Sequence, residues 1–96
     1  MVYRIVLFRI KGGNLHKEVR FREYFASIRE INYRNNCEKI AILRGAGADE
    51  YAYISIWRDI DILCSLKQAP EYTAFVDELL KYVDIISDNV YCEEEL

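Results

Sequence analysis

The chain predicts an α+β fold of the ferredoxin-like kind: an antiparallel sheet with elements in the order β-α-β-β-α-α-β. Three observations carry that expectation. Residues 51 to 57, Tyr-Ala-Tyr-Ile-Ser-Ile-Trp, read as a strand with no polar face: Ala52, Ile54 and Ile56 point one way and Tyr51, Tyr53 and Trp57 the other, with Ser55 the one interruption. The opening segment, Val2 to Lys11, is apolar on both faces apart from Arg4, Arg9 and the closing Lys11, whereas the second strand candidate carries Glu38, Lys39 and Arg44 and the last begins Ser87-Asp88-Asn89, as protected sheet edges do. Finally, the helical segments suffice for a single layer, so a sheet apolar on both sides needs a second cover. A partner subunit, a ligand or stacked nucleic-acid bases could supply it.

Each element follows from local chemistry. Val2 to Lys11 is rich in β-branched and aromatic residues and stops at Gly12-Gly13, which permit a tight turn. Asn14 is a plausible N-cap for a long helix in which Val19, Tyr24, Phe25, Ile28 and Ile31 recur at helical spacing until Asn35-Asn36. Glu38 to Arg44 and Tyr51 to Trp57 flank Gly45-Ala46-Gly47-Ala48-Asp49, a hairpin connection that pairs the second and third strands. Asp59 caps a short helix through Lys67, and Pro70 suits the first turn of another helix reaching about Tyr82, with Phe75, Leu79 and Tyr82 as its apolar stripe. Ser87 to Cys92 is the last strand. The first and third strands fill the middle of the sheet and the others its edges.

Ninety-six residues form one domain, 1–96. Folding such a chain buries roughly 65% of its extended surface. Arg4 and Arg9 break the apolar opening in a way that a secretory segment excludes, and no run approaches the roughly 20 apolar residues of a membrane span. A cytoplasmic location is expected, with no membrane contact. Cys37, Cys64 and Cys92 are odd in number and unclustered, as reduced packing residues are, so neither a disulfide framework nor a zinc site is indicated. A net charge of −3 argues against nonspecific attraction to phosphate backbones, and no nucleic acid is expected as a partner.

From Trp57 onward the sequence reads Trp-Arg-Asp-Ile-Asp-Ile-Leu-Cys-Ser-Leu-Lys-Gln-Ala-Pro-Glu-Tyr, followed by Phe75. This resembles the antibiotic biosynthesis monooxygenase (ABM) superfamily, the dimeric α+β barrels, in which a strand ends in Trp, an acidic residue and a short helix follow, and then a small residue, a proline and an aromatic. The apolar opening strand, the glycine turn and an early aromatic in the first helix, Phe21 or Phe25, are similar too. The resemblance implies a homodimer whose two sheets face each other around a barrel-like interior with the helices outside. It also implies a range of activities, including cofactor-free oxygenation of quinols or polyketide phenols, and membership alone selects none of them. Two departures matter. Many members carry a histidine nine residues after the tryptophan, where this chain has Leu66, so haem chemistry is disfavoured and no cofactor or metal is expected. Some oxygenases carry an amide four residues before the tryptophan, where this chain has Tyr53.

An oxygenase of this type needs an electron-rich phenol, a pocket that desolvates it and hydrogen bonds to its anion. Trp57 and Tyr53 are the catalytic candidates, with Tyr51 beside them; the plain alternative is that these rings only fill the dimer interior. Tyr72, near the start of the last helix, is a candidate to hydrogen-bond a substrate; the plain alternative is that its ring packs and its hydroxyl meets water. Arg4 and Arg9 lie on opposite faces of the first strand, so one of them reaches the interior or its rim; Arg9 is the candidate for an anionic ligand, and a salt bridge with Glu or Asp across the dimer is the plain alternative. His16 sits beside the glycine turn and reads as solvent-exposed. Gly45-Ala46-Gly47 joins two strands and is a turn, since phosphate loops precede a helix.

The residues thus point to a small-aromatic monooxygenase or to a non-catalytic dimer that binds a metabolite or a protein. A rival from another class is the RNA recognition motif, whose third strand presents two aromatics one residue apart, as Tyr51 and Tyr53 do. Asp49-Glu50, where that motif has a basic residue and a glycine, opposes it.

Overall fold

The computed structural model describes residues 1–12, 15–46 and 50–95, with the side chains of residues 15–20 left aside. The Asn14 cap, the Gly47 to Asp49 part of the turn and the His16 side chain therefore lie outside the described residues. The order of elements is β1 (Val2–Ile10), α1 (Leu15–Arg34), β2 (Lys39–Arg44), β3 (Glu50–Trp57), α2 (Ile60–Gln68), α3 (Pro70–Leu79) and β4 (Val83–Cys92). All strand pairs are antiparallel, in the sheet order β2-β3-β1-β4, so the two most apolar strands take the centre.

Local signals set most of the element ends. Asp59 accepts a hydrogen bond from the Ile62 amide at 3.0 Å and so caps α2, while Pro70 opens α3, where its missing N–H costs nothing. At the end of α1, Asn36 takes the left-handed conformation with φ 69. Its N–H donates to the Tyr33 carbonyl and the Cys37 N–H to the Asn32 carbonyl, which together make a Schellman motif. Gly45 donates to the Glu50 carbonyl at 2.7 Å, and a Cβ at Gly45 would sit 2.9 Å from that oxygen, so this end of the hairpin requires glycine.

β4 begins four residues earlier than the sequence predicts. Val83 is buried and pairs with Ile10, the Lys11 amide donates to the Tyr82 carbonyl at 2.8 Å, and the register shifts between Leu7 and Phe8. That irregularity accommodates one extra residue in β4.

The helices lie on one side of the sheet, and the shortest dimension, 17 Å, is that of two layers. Alternation then fixes what each side presents. Val2, Arg4, Val6, Phe8 and Ile10 of β1 and Tyr53, Ser55 and Trp57 of β3 are buried, with the half-buried Tyr51 in line with them. Phe21, Ile28 and Ile31 of α1, Leu63 and Leu66 of α2 and Tyr72 of α3 complete this core. Tyr3, Ile5, Leu7, Ala52, Ile54 and Ile56 occupy the opposite face, half-buried by their neighbours, and no helix among the described residues covers them.

This corrects one expectation. The aromatic set Tyr51, Tyr53 and Trp57 packs inside one subunit against its own helices, and the aliphatic set Ala52, Ile54 and Ile56 is the one in need of an outside partner. Nor do Tyr51 and Tyr53 form the base-stacking platform of an RNA recognition motif, because both rings are on the helix side.

Candidate functional site

Between the sheet and the helix layer lies a cavity of about 120 Å³. Its walls are chiefly apolar and aromatic: Val6 and Phe8 from β1, Phe21, Phe25 and Ile28 from α1, and Phe75 and Leu79 from α3. Against these walls stand Arg4, Tyr53, Tyr72 and Asp88, a small polar group in a surface that otherwise repels water.

The group is tightly tied. Arg4 donates from Nε and Nη2 to the two carboxylate oxygens of Asp88 at 3.0 and 2.7 Å, the bidentate arrangement a guanidinium favours, and from Nη1 to the Tyr72 hydroxyl. Burial pulls the Arg4 pKa down, but the Asp88 and Tyr72 contacts outweigh it, so the guanidinium stays charged. The same hydrogen bonds from Arg4 hold the Asp88 carboxyl below the usual carboxylate range. β4 supplies Asp88 opposite Val6, next to the Arg4 row of the sheet, which explains why an edge strand carries an acid toward the core.

Tyr53 is held from two sides. The Asn32 side-chain amide donates to its hydroxyl, and Ser55 hydrogen-bonds it as well. Ser55 in turn accepts from the Trp57 indole N–H at 2.9 Å. Burial first, and then the neighbouring Tyr72 hydroxyl, push the Tyr53 pKa well above the ordinary tyrosine value, with Arg4 and Ser55 pulling the other way. Tyr53 is therefore a neutral phenol with a proton to donate. Asn32 is fully buried, and its Oδ1 is an acceptor without a partner among the described residues. The Schellman motif that closes α1 fixes the turn from which Asn32 projects.

Of the residues singled out in the sequence, Tyr53 and Tyr72 meet in the cavity. Trp57 has no solvent exposure and is tied to the site by its hydrogen bond to Ser55. Tyr51 stacks on Phe8 with ring centroids 5.5 Å apart and lines an adjoining groove. Arg9 is exposed on the opposite face of the sheet, 4.0 Å from Glu50, and the interior arginine is Arg4. Leu66 is buried in the core. Sequence reasoning missed Asn32, Asp88 and the role of Ser55. Each left a trace: Ser55 breaks an apolar strand, Asn32 sits four residues after Ile28 in an apolar helical stripe, and Asp88 marks the polar entry of β4.

No family model matches the sequence, and none of the curated proteins does. Solved structures do match the fold over nearly its whole length. SnoaB, a cofactor-independent oxygenase from Streptomyces nogalater, superposes with a TM-score of 0.85 at 18% identity, over 99% of this chain and 94% of SnoaB. A candidate antibiotic biosynthesis monooxygenase from Deinococcus radiodurans gives 0.81 at 14% identity, over 100% and 95% of the two chains. The fold is that of the antibiotic biosynthesis monooxygenases. A dimeric protein of ferredoxin-like fold from Bacteroides fragilis also superposes, with a TM-score of 0.74 at 18% identity over 94% of this chain and 93% of that one. No described helix is long and apolar enough to cross a membrane.

Proposed function

We propose that this ABM-fold protein is a single-domain, cytoplasmic, cofactor-independent monooxygenase that oxidises a small electron-rich aromatic and works as a homodimer. The observation that carries the reading is the pair of tyrosine hydroxyls in an aromatic cavity, each already accepting a hydrogen bond: Tyr72 from Arg4 and Tyr53 from Asn32. A phenol that accepts a strong hydrogen bond becomes a better donor, so both O–H groups are prepared for an anionic oxygen. Where some oxygenases of the resembled family carry an amide four residues before the tryptophan, this chain has Tyr53 with the Asn32 amide bonded to its hydroxyl.

The chemistry follows from that environment. A bound phenol gives its proton to water, and its anion is held by Tyr53 and Tyr72, with the Arg4 charge behind Tyr72. The anion passes one electron to dioxygen, and the resulting radical and superoxide join at a ring carbon that carries hydrogen. Loss of water from the peroxide leaves a quinone, so that phenol and dioxygen give quinone and water. The apolar walls keep the anion poorly solvated and therefore readily oxidised. SnoaB, with the same fold, is a cofactor-independent oxygenase.

The dimer is supported by the apolar open face and by the dimeric Bacteroides relative of the fold. The test is oxygen uptake by the purified protein with a panel of hydroquinones and phenols. Uptake is expected with some members, and removing one donor by Tyr72→Phe or Tyr53→Phe is expected to lower kcat/KM by about 100-fold. Tight binding of panel compounds without any uptake would instead establish a ligand-binding dimer of the same fold.

A further inference from the structure

Ser55 alone interrupts the apolar run from Tyr51 to Trp57, and it has no solvent exposure. It stands between Tyr53 and Trp57 on one side of β3, because side chains two residues apart share a face. A hydroxyl buried so completely must find its bonds inside the protein. Those bonds set a direction.

The indole N–H of Trp57 donates to Ser55 Oγ at 2.9 Å, and an indole nitrogen accepts nothing in return. The Ser55 proton must go elsewhere, and the Tyr53 hydroxyl is its other side-chain partner among the described residues. If Tyr53 donated to Ser55 instead, the Ser55 proton would be buried without an acceptor. The Tyr53 oxygen therefore accepts from Ser55. It also accepts from the Asn32 amide, and a hydroxyl oxygen has two lone pairs, so both are filled. Turning the Asn32 amide over would pair its Oδ1 with the Tyr53 proton but would bury its N–H donors without their present partner, and a bare N–H is the rarer fault in proteins. One direction is left for the phenol proton, the cavity that Tyr53 lines.

We propose that Ser55 is a positioning residue: with its oxygen engaged by the Trp57 indole, it turns the Tyr53 proton away from the strand and into the cavity. Trp57 acts through Ser55. Only the use of that proton on a substrate anion rests on the oxygenase reading, and the direction of the bonds does not.

The test places 3,5-difluorotyrosine at position 53 of the full chain and follows its ionisation by fluorine NMR as pH is raised. The fluorines make the phenol more acidic, which brings its titration into a range where the fold persists. The titratable and charged groups facing it, Arg4 of β1, Tyr72 of α3 and Cys37 after α1, are common to every variant, so differences between variants report the chain of hydrogen bonds. Ser55→Ala is expected to raise the midpoint by about one pH unit, as the loss of one hydrogen bond to the phenolate implies, and Ser55→Thr, which keeps the hydroxyl, is expected to restore it. Trp57→Phe is expected to raise the midpoint by less and to add nothing in the Ser55→Ala background, because the indole acts through Ser55. Circular dichroism checks the fold, and if Trp57→Phe does not fold, the two Ser55 variants decide by themselves. An unchanged midpoint in Ser55→Ala, a Ser55→Thr midpoint that stays at the alanine value, or additive effects of the two substitutions would overturn the proposal. Oxygen uptake separates the two readings. Ser55→Ala is expected to lower kcat/KM by about tenfold, less than removal of the Tyr53 hydroxyl itself. The expected midpoints without any uptake would keep this inference and remove the oxygenase, while uptake that Ser55→Ala leaves at the wild-type kcat/KM would keep the oxygenase and remove this inference.

Discussion

At the scale of single residues, the site is a problem of keeping polar groups satisfied in an apolar space. Tyr53 is buried and protonated, and its proton affinity is raised chiefly because burial removes the hydration that its own ionised oxygen would need. The sign of the consequence is definite. The unfolded chain loses the phenol proton near the ordinary value of 10.0, while the folded chain retains it, so stability is full below that pH and declines above it. Urea midpoints measured from pH 8 to 11 are expected to fall in the wild type and to fall less steeply in Tyr53→Phe. Identical slopes would show that Tyr53 is not the buried phenol responsible. Arg4 and Asp88 act at the other end of the scale. Arg4→Met strands a carboxylate and is expected to cost about 2 kcal/mol at pH 7, less than a fully buried pair because Asp88 is 36% exposed. The Asp88 carboxyl is depressed below its ordinary 3.8, so the pairing contributes above that value and is lost as pH falls beneath it. The difference between wild-type and variant urea midpoints is therefore expected to narrow at pH 3. Ser55 and Asn32 were legible only as interruptions of apolar patterns. What they bond to depends on residues 21 positions apart in one case and on which side of the strand the helices cover in the other.

At the scale of elements, the ends of helices speak most clearly. Asp59, Pro70 and the Asn35-Asn36 pair all mark boundaries that the fold keeps, because caps are satisfied by groups a few residues away. Asn36 offers a direct check, since it holds a left-handed conformation that glycine adopts without strain. Asn36→Gly is expected to leave the melting temperature unchanged or raise it, and Asn36→Ala to destabilise by about 1 kcal/mol. The alanine change has a second expected effect, a loosening of the turn that holds Asn32 and therefore a weaker grip on Tyr53. The start of β4 was less legible. Leu79-Leu80-Lys81-Tyr82 contains no glycine or proline and could extend the helix; the pairing of Val83 with Ile10 and the Lys11 to Tyr82 hydrogen bond end it instead.

At the scale of the whole molecule, the decisive feature is a sheet with two apolar faces and helices on one of them. Ile54 lies on the open side between Ile5 of β1 and Ala41 of β2, with Ile56 and Ala52 along the same strand. Ile54→Lys is expected to shift the protein to a monomer in sedimentation velocity while its circular dichroism is retained, because a lysine ammonium buried without a partner opposes association. Tyr53→Phe, on the helix side, is expected to leave the dimer intact. A wild-type protein that stays monomeric when concentrated would remove the dimer from the proposed function and leave the cavity, which one chain builds by itself.

The sequence by itself determined the elements, the central place of β1 and β3 and the need for a second cover, because these follow from periods of two and 3.6 and from caps a few residues long. It did not determine which face of β3 the helices take. The alternation Tyr51, Tyr53, Trp57 against Ala52, Ile54, Ile56 is apolar on both sides, and a period of two has no handedness. The three-dimensional path of the β1-α1-β2 crossover, whose hand is a property of the twisted sheet, put the aromatic face under the helices. That one choice brought Arg4 inward, left Arg9 outside, and made the cavity part of a single subunit.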